Sequence, residues 1–420
     1  MSLKRNVYQS IINDIKRKEV SIIIGPRQVG KTTLLKELFA FCVQKKIRCV
    51  YYNLEMPLDL STFGGDLQKV LNDICTGKKV IMIDEFHYLP NATKFFKAVF
   101  DGCPGIKIFA SGSSALEMHK HMKESLAGRR ILNKVFPLSF SEWLPSKTKK
   151  ELLPEDIDHP TLPDAHKILK KHMDKFMIYG GMPGLVHEKT DDEKKRLLID
   201  LVATYIQKDV KALLRDEDVI SFNRLLSALA AQDSGILSEN AFSGNLNYSL
   251  RQVRKDITIL NQMFLLYSLK PFSSNRGREL RQATKTYLFD PGIRNAILND
   301  FREGAKRQDK GAIYESFVFL EMQKHLRIAQ EIYYWRTSQK EEVDFVLVTD
   351  RIPLPVEVKS KISPGEIPPG IKRFLDVYPE CKYAFVLNTD YYGKNTYKDK
   401  QIIFVPHYYA SLIPKFGAVK

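Results

Sequence analysis

Between residues 20 and 140, short apolar, β-branched runs (VSIIIGP, IRCVYYNLE, KVIMIDE, IKIFASGSS) alternate with longer stretches of helical composition (KTTLLKELFAFC, DLQKVLNDIC, KFFKAVFDG). The runs are apolar nearly throughout rather than at every second position, as strands covered by helices on both faces should be. A parallel α/β sheet is predicted. A stretch rich in proline and charge, residues 145–164, then breaks the rhythm and marks a domain boundary. Residues 165–220 read as helices interrupted by YGGMPG at 179–184, whose glycines and proline disfavour helix.

Residues 221–290 give three helical segments (FNRLLSALAAQ, SENAFSGNLN, SLRQVRKDITILNQMFL) and two strands (LYSLKPF, KTYLFD) joined by the basic SSNRGRELRQA. That order is similar to a winged helix-turn-helix. On the third helix Leu250, Val253, Ile257, Leu260 and Phe264 form one apolar stripe, which throws Arg251, Lys255 and Thr258 to the other side. Beyond Asp290 the pattern turns to helices and then to closely spaced strands. The expected organisation is four parts: 1–145, 146–220, 221–290 and 291–420.

Composition narrows the picture. The 420 residues are 44% hydrophobic and 27% charged, which excludes a largely disordered or collagen-like chain. Against 49 Asp and Glu stand 65 Lys and Arg, a net charge of +16 that favours anionic partners, DNA first among them. The five cysteines include no C-x-x-C pair and no zinc-ligand spacing. They read as reduced thiols in a cytoplasmic protein, and with no apolar run of about 18 residues no membrane span is expected.

The strongest chemical signal is Gly25-Pro26-Arg27-Gln28-Val29-Gly30-Lys31-Thr32, followed by Thr33, placed between an apolar strand and a helix. Such a loop turns its N–H groups toward phosphate, sends Lys31 to the β and γ phosphates and offers the Thr32 hydroxyl to Mg²⁺. A second apolar strand ends in Asp84-Glu85: Asp84 is expected to hold Mg²⁺ and Glu85 to polarise the attacking water. His87, three residues past Asp84, can approach the nucleotide or simply pack. A third strand ends in Ser111, Ser113 and Ser114; Ser113 is the candidate sensor of the γ phosphate, with helix capping the plain alternative. Arg129, in SLAGRR, is a candidate arginine finger in cis or from a neighbouring subunit, or else an exposed basic residue. ATP and Mg²⁺ are therefore the expected cofactors.

The segments GPRQVGKTT, IMIDEFHYLP, ASGSSALEM, SLAGRR and FPLSFSEW resemble the AAA-like ATPase domain of a prokaryotic ATPase family that carries a C-terminal DUF4143 domain. Its downstream marks YGGMPG, YIQKDV, LFDPG, GAIYESFVFLEM, VDFVL and PVEVKSK are also present in order. The resemblance implies ATP binding and an adjoining DNA-binding, nuclease-like region.

Near the C-terminus, EIYYWRTSQKEEVDFVLVTDRIPLPVEVKSK reads as three strands. Alternation puts Glu357 and Lys359 on one face of the last of them, Asp344 comes from the strand before, and Glu315 stands on a preceding helix. The D-x(12)-E-x-K spacing resembles the PD-(D/E)xK nuclease core. It implies metal held by Asp344, Glu357 and Glu315, with Lys359 adding positive charge at a scissile phosphate. An active nuclease site and the same fold kept for binding alone are both open at this point. The fold expected is thus α/β and multidomain: a P-loop AAA-like parallel sheet, a helical and winged-helix middle, and a restriction-endonuclease-like α/β C-terminal domain. Homo-oligomerisation through the ATPase domain is a further expectation.

Overall fold

A computed structural model describes the chain except for residues 1, 2, 78, 113–125, 149–151, 206–209, 211–213, 215, 274–282 and 418–420. Two compact units result, one of Met1–Pro137 with Thr258–Leu265, the other of Leu138–Ile257 with Leu266–Lys420.

The first unit holds a five-stranded sheet: β1 (Val20–Ile24), β2 (Cys49–Asn53), β3 (Val80–Asp84), β4 (Lys107–Gly112) and β5 (Arg130–Lys134), ordered β2-β3-β4-β1-β5. Every pairing is parallel, as the apolar runs predict. Strands β1, β3 and β4 are buried at each position because they lie inside the sheet. Helices α1 (Asn6–Asn13), α2 (Lys31–Gln44), α3 (Leu67–Cys75) and α4 (Ala92–Gly102) belong to this unit, whose core includes Ile22, Ile83, Phe96 and Ile108. Strand β5 is the element the pattern conceals: RILNK carries charge at both ends and lies at the sheet edge, partly exposed. Side by side, the carboxyl ends of β1, β3 and β4 make the edge where open parallel sheets bind ligands.

The second unit joins helices to a mixed sheet. Its helices include α5 (Pro163–Tyr179), α6 (Asp191–Thr204), α7 (Asp216–Ala231), α8 (Glu239–Leu246) and α9 (Leu250–Gln262), the last of which runs into the first unit at Thr258. On α9 Val253, Ile257 and Leu260 are buried while Arg251, Lys255 and Thr258 are exposed, as the stripe predicts. The antiparallel hairpin of β6 (Leu266–Leu269) and β7 (Lys285–Leu288) follows. After α10 (Pro291–Leu298) and α11 (Lys310–Lys324) come β8 (Gln330–Arg336), β9 (Glu342–Thr349), β10 (Ile352–Val358), α12 (Pro369–Val377), β11 (Tyr383–Asn388), β12 (Gly393–Tyr397) and β13 (Lys400–Pro406). These six strands are ordered β12-β13-β11-β10-β9-β8, with β10, β11 and β13 mutually parallel and the others antiparallel.

One joint fixes the helical part. Asp290 caps α10 by accepting from the N–H groups of Gly292 and Ile293, and its other oxygen accepts from Gly181 N–H of the YGGMPG break. Two segments about 110 residues apart thus share one buried carboxylate, a loop-to-helix clasp that satisfies three donors at once.

Candidate functional site

Beyond Ile24 the chain must turn sharply without side-chain obstruction. A Cβ on Gly25 would sit 2.1 Å from the Val135 carbonyl oxygen, so only glycine fits there. Gly30 is left-handed at φ 95° and caps α2. The turn returns Lys31 to the loop, where its ammonium donates to the carbonyls of Gly25 (3.1 Å) and Pro26 (2.7 Å) and is 5% exposed. Pro26 and Val29 are buried, Arg27 and Thr32 half-buried, and Gln28 and Thr33 exposed along the same loop and first helical turn. Arg5 buttresses it by donating to the carbonyls of Val29 (2.8 Å) and Phe136 (2.6 Å). Nothing in the motif announces Arg5, because the partner atoms are backbone.

At the end of β3, Asp84 is 1% exposed and both its oxygens are engaged. Tyr51 of β2 donates to Oδ2 at 2.8 Å and Ser111 of β4 donates to Oδ1. Neighbouring strands therefore deliver the two hydroxyls, and the hydroxyl that meets Asp84 is that of Ser111; Ser113, the sensor candidate, lies outside the described residues. Oxygen ligands from Asp84 and Thr32 are the hard donor set that Mg²⁺ takes alongside substrate phosphates, so these residues fit that ion.

Glu85 is left-handed, φ 55° and ψ 47°, an uncommon backbone for a residue with a side chain. Its Oε2 lies 3.1 Å from Nδ1 of His87. Burial alone would raise this carboxyl; the His87 ring, then Lys31 and Arg27, outweigh burial and hold it below the usual carboxylate range.

Arg129 stands elsewhere. Its carbonyl accepts from Val20 N–H at the amino end of β1, and its Nε lies 3.1 Å from Asp101. Five strand residues, about 17 Å, separate that end of the sheet from the loop at Gly25. The expectation of an arginine finger acting in cis is corrected by this placement, since the backbone itself is anchored at the wrong end.

The second unit gathers the other predicted carboxylates. Strands β9 and β10 pair with Phe345 opposite Val356, so one further step sets Asp344 against Glu357 on a common face. Asp344 Oδ2 accepts from Val358 N–H at 2.8 Å, and Glu357 Oε2 lies 3.4 Å from Asp344 N–H. Lys359 holds Glu357 at 2.6 Å. Burial, then Asp344, pushes both Glu315 and Glu357 up to about 8.

Between these carboxylates stands a residue of the hairpin strand β7. The Lys285 ammonium of β7 lies 3.0 Å from Glu315, 2.5 Å from Glu342 and 3.7 Å from Asp344, and its side chain is 4% exposed. Tyr287, two residues on and therefore on the same strand face, donates to the same Glu315 oxygen at 2.7 Å. Lys285 thus supplies a positive charge to Glu315 and Asp344 from within the cluster. The expectation of Glu315, Asp344 and Glu357 as metal ligands meets a site whose cation is an ammonium, and the residues as arranged do not fit a metal. Among the described residues no group of three or more His, Cys, Asp or Glu side chains is arranged to hold one.

Residues 17–144 match the family described as AAA domain, residues 170–303 a domain of unknown function (DUF8612), and residues 310–408 the domain of unknown function DUF4143. An uncharacterized protein of Mycobacterium tuberculosis is 23% identical over 365 residues, spanning 86% of this chain and 75% of that one. One from Methanocaldococcus jannaschii is 24% identical over 341 residues, 78% of this chain and 72% of the relative. Among solved structures, the Aeropyrum pernix Orc1 protein in complex with DNA aligns at a TM-score of 0.29 and 12% identity, covering 70% of this chain and 91% of that one. AMPPCP-bound DnaA from Aquifex aeolicus aligns at 0.29 and 15%, covering 61% and 86%. The chain thus carries an AAA-type, P-loop ATPase-like domain on a parallel sheet, and a DUF4143 domain on a mixed sheet.

Proposed function

We propose that the N-terminal unit binds ATP and hydrolyses it with Mg²⁺. The observation that carries this reading is the convergence of Lys31, Asp84 and Glu85 on one edge of the sheet, with Asp84 fixed by the Tyr51 and Ser111 hydroxyls. Loop N–H groups and Lys31 bind the phosphates, Thr32 and Asp84 hold the ion, and Glu85 orients the water. Bound Mg²⁺ would neutralise charge developing between the β and γ phosphates. Phosphate release by the purified full chain tests the assignment: Lys31→Ala should weaken ATP binding, whereas Glu85→Gln should bind ATP and lose turnover. Equal hydrolysis by wild type and Glu85→Gln overturns the role given to Glu85.

DNA is the proposed macromolecular partner. Support comes from the net charge of +16 and from exposed Arg251 and Lys255 on α9, whose opposite face is buried. Three helices followed by a hairpin, residues 216–288, are the element order of a winged helix. Homo-oligomerisation through the ATPase domain is proposed as well, with Arg129, which pairs with Asp101 at the far end of its own sheet, either a finger for a neighbouring subunit or a plain basic surface residue.

For the C-terminal domain two readings stand, metal-dependent DNA cleavage and a nucleotide-gated regulator with a silent nuclease-like site. The buried Lys285 among the carboxylates favours the second. Branched and linear DNA incubated with the protein in Mg²⁺ or Mn²⁺ should stay intact; cleavage abolished by Asp344→Asn would restore the first.

A further inference from the structure

We propose that Lys285 is a built-in substitute for a divalent cation, so that the carboxylate site of the DUF4143 domain binds a metal only when that ammonium is removed. Four carboxylates, Glu315, Glu342, Asp344 and Glu357, come together from one helix and two strands. Two ammonium groups answer them, Lys285 for the first three and Lys359 for Glu357. The Lys285 ammonium donates to Glu315 and lies within ion-pair distance of Glu342 and Asp344, so one cation serves three carboxylates. A metal between Glu315 and Asp344 would sit against a positive charge already 3.0 Å from one and 3.7 Å from the other, and the low exposure of Lys285 gives water little means to screen the two.

The lysine is also fixed from behind. Its strand neighbour Thr286 accepts from Ser234 N–H (2.8 Å) and donates to Gly235 O (3.1 Å), while Thr284 O accepts from Leu237 N–H (2.6 Å). Leu288 N–H donates to Asp233 (2.8 Å). On the same face as Lys285, Tyr287 stacks on Phe319 at 4.2 Å between centroids and is fully buried. A strand held through its backbone on both sides of Lys285 presents the ammonium as a permanent part of the site, not as a lid. Loss of the Lys285 ammonium leaves Glu315, Glu342 and Asp344 without the cation they share and so open to another.

Mn²⁺ binding to the nucleotide-free full chain, followed by electron paramagnetic resonance, tests this. An Asp84→Asn background silences the ATP-site ion and isolates the second unit. With Lys285 in place, millimolar Mn²⁺ should find no site that depends on Asp344. Lys285→Met, of similar length and no charge, should create one site per chain, a gain in affinity of roughly tenfold or more. That gain should vanish on adding Asp344→Asn, and Lys285→Arg, which keeps the charge, should not show it. Circular dichroism confirms that each variant is folded. A folded Lys285→Met protein without the new site overturns the proposal. So does an Asp344-dependent Mn²⁺ site in the chain with native Lys285, a result that decides the matter even if Lys285→Met fails to fold.

Discussion

Oε2 of Glu85 and Nδ1 of His87 lie 3.1 Å apart, across a left-handed residue that turns the chain out of β3. If Glu85 orients the attacking water as proposed, the ring beside it bears on the orientation of that carboxylate rather than on phosphate binding. His87→Ala should lower kcat by about tenfold, the scale of a misplaced general base, and leave KM for ATP near its wild-type value. His87→Gln, which retains a donor, should recover part of the loss. Steady-state kinetics separates the outcomes: a raised KM at unchanged kcat would place His87 in binding instead.

Asp84 makes a comparable case one residue earlier. Each of its oxygens is held by a hydroxyl from a neighbouring strand, Tyr51 on one side and Ser111 on the other. Partners of metal-ligating carboxylates typically affect metal affinity or activity by about 10-fold to 100-fold. Tyr51→Phe and Ser111→Ala should each raise the Mg²⁺ concentration that half-saturates ATP turnover, with the double variant worse than either. Mg²⁺ titration at saturating ATP reads the effect directly. An unchanged Mg²⁺ dependence in both variants would show that the hydroxyls are packing partners only.

These two sites differ in how plainly the chain announces them. The phosphate loop is contiguous, and its demands on glycine at 25 and 30 and on lysine at 31 are local, so the motif states the geometry. Asp344 and Glu357 were legible as well, because strand alternation and a short turn suffice to set them on one face. Lys285 and Tyr287 were not: they sit on a hairpin strand some 30 residues before Glu315, and no periodicity in KTYLFD says which packed surface its alternate side chains will meet. Strand β5 was hidden for a related reason, as an edge strand need not be apolar and RILNK is not. Arg129 shows the converse. Its composition suggested a finger, but parallel pairing of Val20 with Arg130 anchors it at the end of the sheet remote from the loop.

The Asp290 clasp should carry much of the stability of the helical part. Its carboxylate is fully buried and serves the N–H groups of Gly181, Gly292 and Ile293. Asp290→Ala strands three buried donors, at about 1–3 kcal/mol for each one left unsatisfied. A loss of about 3 kcal/mol or more is expected, which for a unit of this size lowers the thermal midpoint by roughly 6–12 °C. Asp290→Asn keeps an acceptor and should lose less. Gly180→Ala should also destabilise, since its φ is 74° and a Cβ there would meet Asp290 Oδ1 at 2.0 Å. Thermal melts followed by circular dichroism rank the three, and an Asp290→Ala protein that melts with wild type would remove the clasp from the stability account.

His407 gives the second unit a dependence on pH with a definite sign. The ring is fully buried and stacks on Tyr314 at 4.3 Å and 14°, and burial pushes its pKa from 6.5 down to about 3. Below pH 6.5 the unfolded chain takes a proton that the folded ring refuses, so stability is fully present above 6.5 and is withdrawn as the pH falls toward 3. The slope approaches about 1.4 kcal/mol per pH unit in that window. Glu315 and Glu357 act in the opposite sense. Raised from 4.5 to about 8, they stay protonated in the folded state while the unfolded chain ionises, and their contribution is lost as the pH rises between those values. The two effects overlap between about pH 4.5 and 6.5, so the informative quantity is a difference between proteins rather than one profile. His407→Phe keeps an aromatic face for Tyr314 and removes the titration. Urea unfolding at successive pH values should show it losing less stability than wild type on acidification below 6.5, and profiles that run parallel would mean that the ring takes up its proton without leaving the fold.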